Sequence, residues 1–223
     1  MSLAQLQERL GVEITPELLQ LAVTHSSYAY EKGGADNERL EFLGDSILGY
    51  LVAVSVFKDH TDLSEGELTK LKNAVVSAQA LATAANQLEL GKFLRLGKGE
   101  SRTDGRKKTN VLADAFEAIL GAAYLSSGME SARSIVERFV LPLLENPDAI
   151  REMADPKTSL IEKAQKLNLG DVRYEVVGEG PDHQMTYTAM CFVGQKLIAQ
   201  GKSSTKRSAE TEAAIAALKV LGK

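Results

Sequence analysis

The ten residues Asn37-Glu38-Arg39-Leu40-Glu41-Phe42-Leu43-Gly44-Asp45-Ser46 open an apolar-periodic run that continues through Ile47, Leu51 and Val54. Leu40, Leu43, Ile47, Leu51 and Val54 recur at helical spacing, so the run predicts a helix with one buried face. At about 100° per residue, Glu38, Glu41 and Asp45 fall within about 60° of one another, on the side opposite that face. Like charges so close repel, and a helix gains nothing from them unless something positive sits between. An acidic face is most often plain solvated surface. Phe42 speaks against that here, because it lies toward the acidic side, where folding alone calls for a polar residue.

A second segment repeats the pattern. Asn110 can cap a helix from Val111 to about Ser126. Asp114 and Glu117 share one face at i,i+3, with Leu112, Phe116, Ile119 and Ala123 opposite. Two helices, each apolar behind and carboxylate-rich in front, can pack so that their acids converge. Hard divalent cations take oxygen ligands of this kind, and Mg²⁺ keeps several waters. A pair of such ions is one way to hydrolyse a phosphodiester.

The rest of the chain sets the frame. Its 223 residues can hold one large domain or two small ones. The single cysteine, Cys191, cannot form an internal disulfide, which fits a reducing, cytoplasmic setting. The start, Met1-Ser2-Leu3-Ala4-Gln5, lacks a secretion signal. No apolar run approaches the ~20 residues of a membrane helix, so no membrane partner is expected. The net charge of −4 does not suggest nucleic acid. It is unevenly spread: residues 151–223 hold 11 Lys and Arg against 9 Asp and Glu, and residues 1–150 hold 15 against 21.

Residues 1–24 predict two short helices, the second capped at Thr15-Pro16-Glu17. Thr24-His25-Ser26-Ser27-Tyr28 then leads to a loop at Lys32-Gly33-Gly34-Ala35. His25 is a candidate base, although a lone histidine is more often structural. Ser64 with Glu67 forms a capping box for a helix running to about Leu90. Glu65, in the first turn of that helix, is favoured there by the helix dipole alone. Gly97 to Thr109 is a glycine-punctuated basic loop whose cations suit phosphates. A helix after Gly128 runs to about Leu144, and Pro147 breaks it. Residues 1–145 read as all-helical, 146–154 as a linker, and 155–223 as a second domain.

From Asp155 the order becomes α-β-β-β-α. A helix from about Pro156 to Leu167 precedes strands at Arg173–Val177, Met185–Val193 and Lys196–Gly201. An alanine-rich helix follows from about Ser204 to Leu221. Lys206 and Arg207 lie in its first turn, where the helix dipole disfavours cations, so stability does not explain them.

The signature Asn37–Ser46, with Leu112-Ala113-Asp114-Ala115-Phe116-Glu117-Ala118 downstream, resembles the ribonuclease III family. The α-β-β-β-α third resembles the double-stranded-RNA-binding domain of the bacterial members, so the likeness covers nearly the whole chain. It implies a fold class: an all-α endonuclease domain followed by a small α+β RNA-binding domain. It also implies a homodimeric endoribonuclease that uses Mg²⁺, with Mn²⁺ as substitute, to cut double-stranded RNA in rRNA and mRNA precursors. The products would carry 5′-phosphate and 3′-hydroxyl ends with a short 3′ overhang.

Carried over residue by residue, Glu41, Asp45, Asp114 and Glu117 form the metal site, with Asp45 and Glu117 catalytic and Glu38 and Glu65 supporting. Phe42 would insert into a pocket of the other subunit. Thr158 and Glu162 on the first helix of the RNA-binding domain, and the loop Gly180-Pro181-Asp182-His183 with Pro181 and His183, match minor-groove contacts. Lys206 and Arg207 match the phosphate-binding pair. Ile161 and Ser203 depart from the family pattern, which common members fill with glutamine and glycine. Two other readings remain open on the sequence: a non-cutting RNA-binding protein on the same fold, and a helical hydrolase of small phosphates.

Overall fold

The computed structural model describes residues 2–145, 155–180, 185–203 and 205–222. The expected linker at 146–154, and Pro181 and His183, lie outside them. The chain divides into two compact units, Met1–Ile150 and Arg151–Lys223.

In the first unit the described elements are α1 (Leu3–Leu10), α2 (Pro16–Ala22), α3 (Ser26–Lys32), α4 (Glu38–Asp59), α5 (Glu65–Val75), α6 (Ala78–Gln87), α7 (Lys98–Arg102), α8 (Thr109–Ser127) and α9 (Met129–Phe139). A single parallel bridge, Thr24 to Arg95, is the one β contact among its described residues. The capping box at Ser64 and Glu67 forms as expected. The helix after it is shorter than predicted. It stops at Val75, and Ser77 starts α6 by accepting from the Ala80 amide (3.3 Å). The apolar pattern runs straight through this break and hides it. The basic stretch 97–109 is not a plain loop, since it holds α7 and a 3₁₀ turn at Gly105–Lys107.

Helix α8 is the centre of the unit. From Val111 to Ala123 every residue is buried except Asp114 and Glu117. The expected single apolar face is therefore a helix enclosed all round, as a core helix must be. Its cap differs too: α8 begins at Thr109, with Asn110 inside the first turn. Helix α4 packs along α8 and buries Leu40, Gly44, Ile47, Leu48, Leu51, Val52 and Val56. Leu43 and Val54 are only half-buried. The buried face is thus turned about 60° from the predicted one, toward Glu41. Contrary to expectation, α4 is long and apolar enough by length and composition to cross a membrane (22 residues, mean hydropathy 1.6). Its apolar side is instead part of the core cluster with α8.

The second unit is α10 (Pro156–Lys166), β1 (Val172–Glu179), β2 (Thr186–Val193), β3 (Lys196–Ser203) and α11 (Lys206–Leu221). The strands form one antiparallel sheet in the order β1-β2-β3. Gly194, at φ +59°, makes the tight β2–β3 turn. Leu160, Ala189, Cys191, Ala209, Ala213, Ala214, Ala217 and Leu218 form the core. The alanines of α11 let it lie close on the sheet, where a side chain on Gly201 would collide with the Ala209 and Ala213 backbone.

Candidate active site

The site is built where α4 and α8 touch backbone to backbone. A β-carbon on Gly44 would overlap the Glu117 carbonyl oxygen, and one on Gly121 would overlap the Leu40 carbonyl oxygen. Glycine is required at both positions by this approach, because any side chain would hold the helices apart. Glu41 lies one turn before Gly44, and Glu117 one turn before Gly121. The crossing therefore brings the acids of the two helices to one place.

Glu41, Asp114 and Glu117 each offer a carboxylate oxygen, all within 4.8 Å of one another. They are the only such group among the described residues, and each is half-buried. Burial pushes the Glu117 carboxyl up to about 8, with Asp45, Glu41 and Asp114 adding repulsion. Burial also raises Glu41, helped by Asp114, Glu38 and Asp45. Asp114 is raised by burial as well, against the opposing charge of His25. Three partly desolvated carboxylates that resist ionising together are relieved by a proton or by a cation, and an all-oxygen set could hold a hard divalent one.

Asp45 is exposed and stands just outside this trio, near enough to act on both Glu41 and Glu117. Glu38 is exposed at the start of α4 and acts on Glu41. Nothing among the described residues joins Glu65 to the cluster; its carboxylate accepts from the Thr69 hydroxyl (3.1 Å). His25 caps α3 by accepting from the Ser27 amide (3.2 Å), and its charge also reaches Asp114. Asn37 is buried and anchors the start of α4, its side-chain amide donating to the Ala22 carbonyl (3.2 Å).

Sequence reasoning missed Gly44 and Gly121, because a glycine carries no apolar signal. It also missed the companions of Phe42. Phe42 is 77% exposed, and Tyr50 (55%) and Phe57 (72%) follow on the same helix. Their spacings of i+8 and i+15 put them within about 80° of Phe42 on the helix, outside its buried face like Phe42 itself.

On the second unit, Lys206 and Arg207 are exposed in the first turn of α11, behind the Thr205 cap, which accepts from the Ser208 amide (3.1 Å). The Lys206 ammonium lies 5.9 Å from the centre of the Tyr187 ring. Thr158, Ile161 and Glu162 are exposed on α10. Between these helices, Lys157 pairs with Glu210 (2.6 Å) and sits 4.9 Å from the Tyr174 ring centre. That contact fixes the two helix starts relative to each other.

Converging carboxylates on a helical unit, joined to an α-β-β-β-α unit with an exposed cation pair at a helix start, define a metal-dependent nuclease with an RNA-binding module. Known proteins agree. Residues 15–144 match the Ribonuclease-III-like family, and residues 156–221 match the double-stranded RNA binding motif. The chain is 49% identical to Ribonuclease 3 of Leifsonia xyli subsp. xyli, over 95% of this chain and 90% of that one. It is 45% identical to Ribonuclease 3 of Thermobifida fusca, over 97% and 91%. The solved nuclease domain of ribonuclease III from Campylobacter jejuni, reported for flexibility in its dimer-forming region, superposes with a TM-score of 0.59. It is 38% identical, covering 62% of this chain and 96% of that one.

The chain belongs to the ribonuclease III family. It is an endoribonuclease that acts on double-stranded RNA and works with a divalent metal.

Proposed function

We propose that Glu41, Asp114 and Glu117 hold the divalent cation, that Asp45 completes the site from its exposed edge, and that the cation is Mg²⁺, with Mn²⁺ as substitute. The observation that carries this is the trio of carboxylate oxygens within 4.8 Å of one another. When bound, the cation supplies activation of water and stabilisation of charge on the scissile phosphate. Glu41 and Asp114 orient it from two different helices. Glu117, whose carboxyl is raised to about 8 without the metal, would hold the cation in its deprotonated form. Asp45 and Glu117 are the catalytic pair, and Glu38 supports Glu41 through its charge. Glu65 stands apart in one chain, so its supporting role belongs to the substrate rather than to these three carboxylates.

The products have 5′-phosphate and 3′-hydroxyl ends with a short 3′ overhang, and the substrates are rRNA and mRNA precursors in the cytoplasm. The working form is a homodimer with Phe42 at its interface, supported by the exposure of that ring beside the site and by dimer formation in the Campylobacter jejuni relative. Residues 1–145 are the nuclease domain and 155–223 the RNA-binding domain. Double-stranded RNA is bound by shape, through 2′-hydroxyls and phosphates. Thr158, Glu162, Pro181 and His183 face the minor groove, and Lys206 and Arg207 take phosphates at a helix start.

The test is a perfect RNA duplex incubated with the protein and Mg²⁺, then with EDTA. Cleavage only with the metal, leaving 5′-phosphate ends, is expected. A duplex bound but never cut would favour the non-cutting reading.

A further inference from the structure

Glu41 is tied to a guanidinium outside the carboxylate trio by a chain of hydrogen bonds. The Glu41 amide donates to the Asn37 carbonyl (2.9 Å), and the Asn37 amide donates to the Thr24 carbonyl (2.9 Å). Asn37 and Thr24 are both buried. The Thr24 hydroxyl donates to the Gln20 carbonyl (2.7 Å) and accepts from Arg95 Nη1 (3.3 Å). Arg95 Nη2 donates to the Tyr28 hydroxyl (3.0 Å), and the guanidinium lies 4.4 Å from the Tyr28 ring centre. The Arg95 backbone grips the same segment, with its amide donating to the Val23 carbonyl (2.8 Å) and its carbonyl accepting from the His25 amide (3.1 Å).

Stability alone is a poor reason for this side chain. A half-buried guanidinium loses hydration, and Arg95 has no carboxylate partner among the described residues to offset that loss. Two neutral acceptors and a ring face compensate less than an ion pair does. What a guanidinium supplies, and an apolar side chain of the same size does not, is a rigid fork that fixes two oxygens at once. Here the two oxygens belong to Thr24 and Tyr28. They bracket His25, and Thr24 carries the anchor of the first turn of α4.

We propose that Arg95 is a positioning residue for the metal site: by holding Thr24 and Tyr28 it sets the start of α4, and so where Glu41 meets Asp114 and Glu117. This rests on reading that trio as the metal site. The effect travels through Thr24 and Asn37 and involves no contact between Arg95 and the cation.

The test is calorimetric titration of the full chain with Mn²⁺, without RNA, for the wild type, Arg95→Met, Arg95→Lys, Thr24→Val and the Arg95→Met/Thr24→Val double variant. Losing a group in direct contact with a metal ligand costs about 10- to 100-fold in metal affinity; Arg95 acts two bonds further out, so Arg95→Met should weaken Mn²⁺ about threefold to tenfold. Arg95→Lys should recover only part of the loss. The double variant should be no weaker than Arg95→Met, because both changes break one path. Equal Mn²⁺ affinity in wild type and Arg95→Met, or additive losses, would overturn the role of Arg95 and leave the metal site standing. A wild type that does not bind Mn²⁺ would overturn both. Should Arg95→Met lose its helical circular dichroism, Thr24→Val decides alone: native helix content with unchanged Mn²⁺ affinity refutes the proposal.

Discussion

Gly44 and Glu117 are in backbone contact: a β-carbon on Gly44 would occupy the position of the Glu117 carbonyl oxygen. This one approach sets the distance between the two acidic helices, because Glu41 and Asp45 flank Gly44 and Gly121 repeats the contact a turn beyond Glu117. The placing of the carboxylates and the packing of the core are here the same feature.

Gly44→Ala should therefore damage both. Forcing a methyl group into a packed core costs about 1–3 kcal/mol, and more where the neighbour is backbone. The expected outcome is a melting temperature several degrees lower and metal affinity down by more than tenfold, measured by thermal unfolding and Mn²⁺ titration. An alanine variant with native affinity would show that the helices can separate without disturbing the carboxylates.

The position of the acids within their two helices is legible in the sequence, since carboxylates at i,i+3 interrupt otherwise apolar runs. The rotation of α4 is not. Periodicity counts apolar side chains, so it favours Leu43 and Val54, whereas the buried face runs through Gly44, Leu48 and Val52. Glycine enters a core by what it lacks, and only the facing backbone reveals that. The break between α5 and α6 is hidden for a related reason, as Val75, Val76 and Ala78 continue the apolar pattern across the Ser77 cap. The α-β-β-β-α order of the second unit is readable, because alternation marks the strands and the Gly194 turn separates β2 from β3, although β1 and β3 each run two residues beyond their expected ends.

The metal-free protein should lose stability as pH rises from about 4.5 to about 8. Glu117 has its carboxyl raised in the folded state, so the folded chain holds a proton there that the unfolded chain has released. Stability then falls with pH across that window, by linkage. Melting temperatures in EDTA should drop over this range, and saturating Mg²⁺ should flatten the curve because it replaces the proton. A metal-free profile that rises through the window would mean that Glu117 ionises freely.

Lys206→Ala with Arg207→Ala should weaken binding of all RNA duplexes about equally and flatten the salt dependence. Phosphate contacts read no bases, and each cation removed lowers the number of counterions released. Gel shifts of two unrelated duplexes at several salt concentrations measure both effects. A loss confined to one duplex, with an unchanged salt slope, would assign the pair another task.

Phe42→Glu should give a folded monomer. The ring is exposed beside the carboxylates and continues toward Tyr50 and Phe57, and a two-fold contact uses it twice. A glutamate would lose its hydration on docking and meet an acidic site. Sedimentation at micromolar concentration, with circular dichroism to confirm helix content, reads the outcome. A tight dimer would put the interface elsewhere.

On the function proposed above, the carboxylates gathered by α4 and α8 cut the duplex through a bound cation. Glu117→Gln tests it most directly, since it keeps the shape and removes one anionic ligand. Single-turnover cleavage of a perfect RNA duplex in Mg²⁺ should fall by at least about 100-fold, beyond the roughly 10- to 100-fold that losing a group behind a metal ligand costs. Gel-shift affinity for the same duplex should stay within about twofold, because Lys206 and Arg207, the proposed RNA-binding pair, are on the other unit and the substitution touches none of the basic stretch 97–109. Cleavage near the wild-type rate would remove Glu117, and with it this metal site, from the reaction.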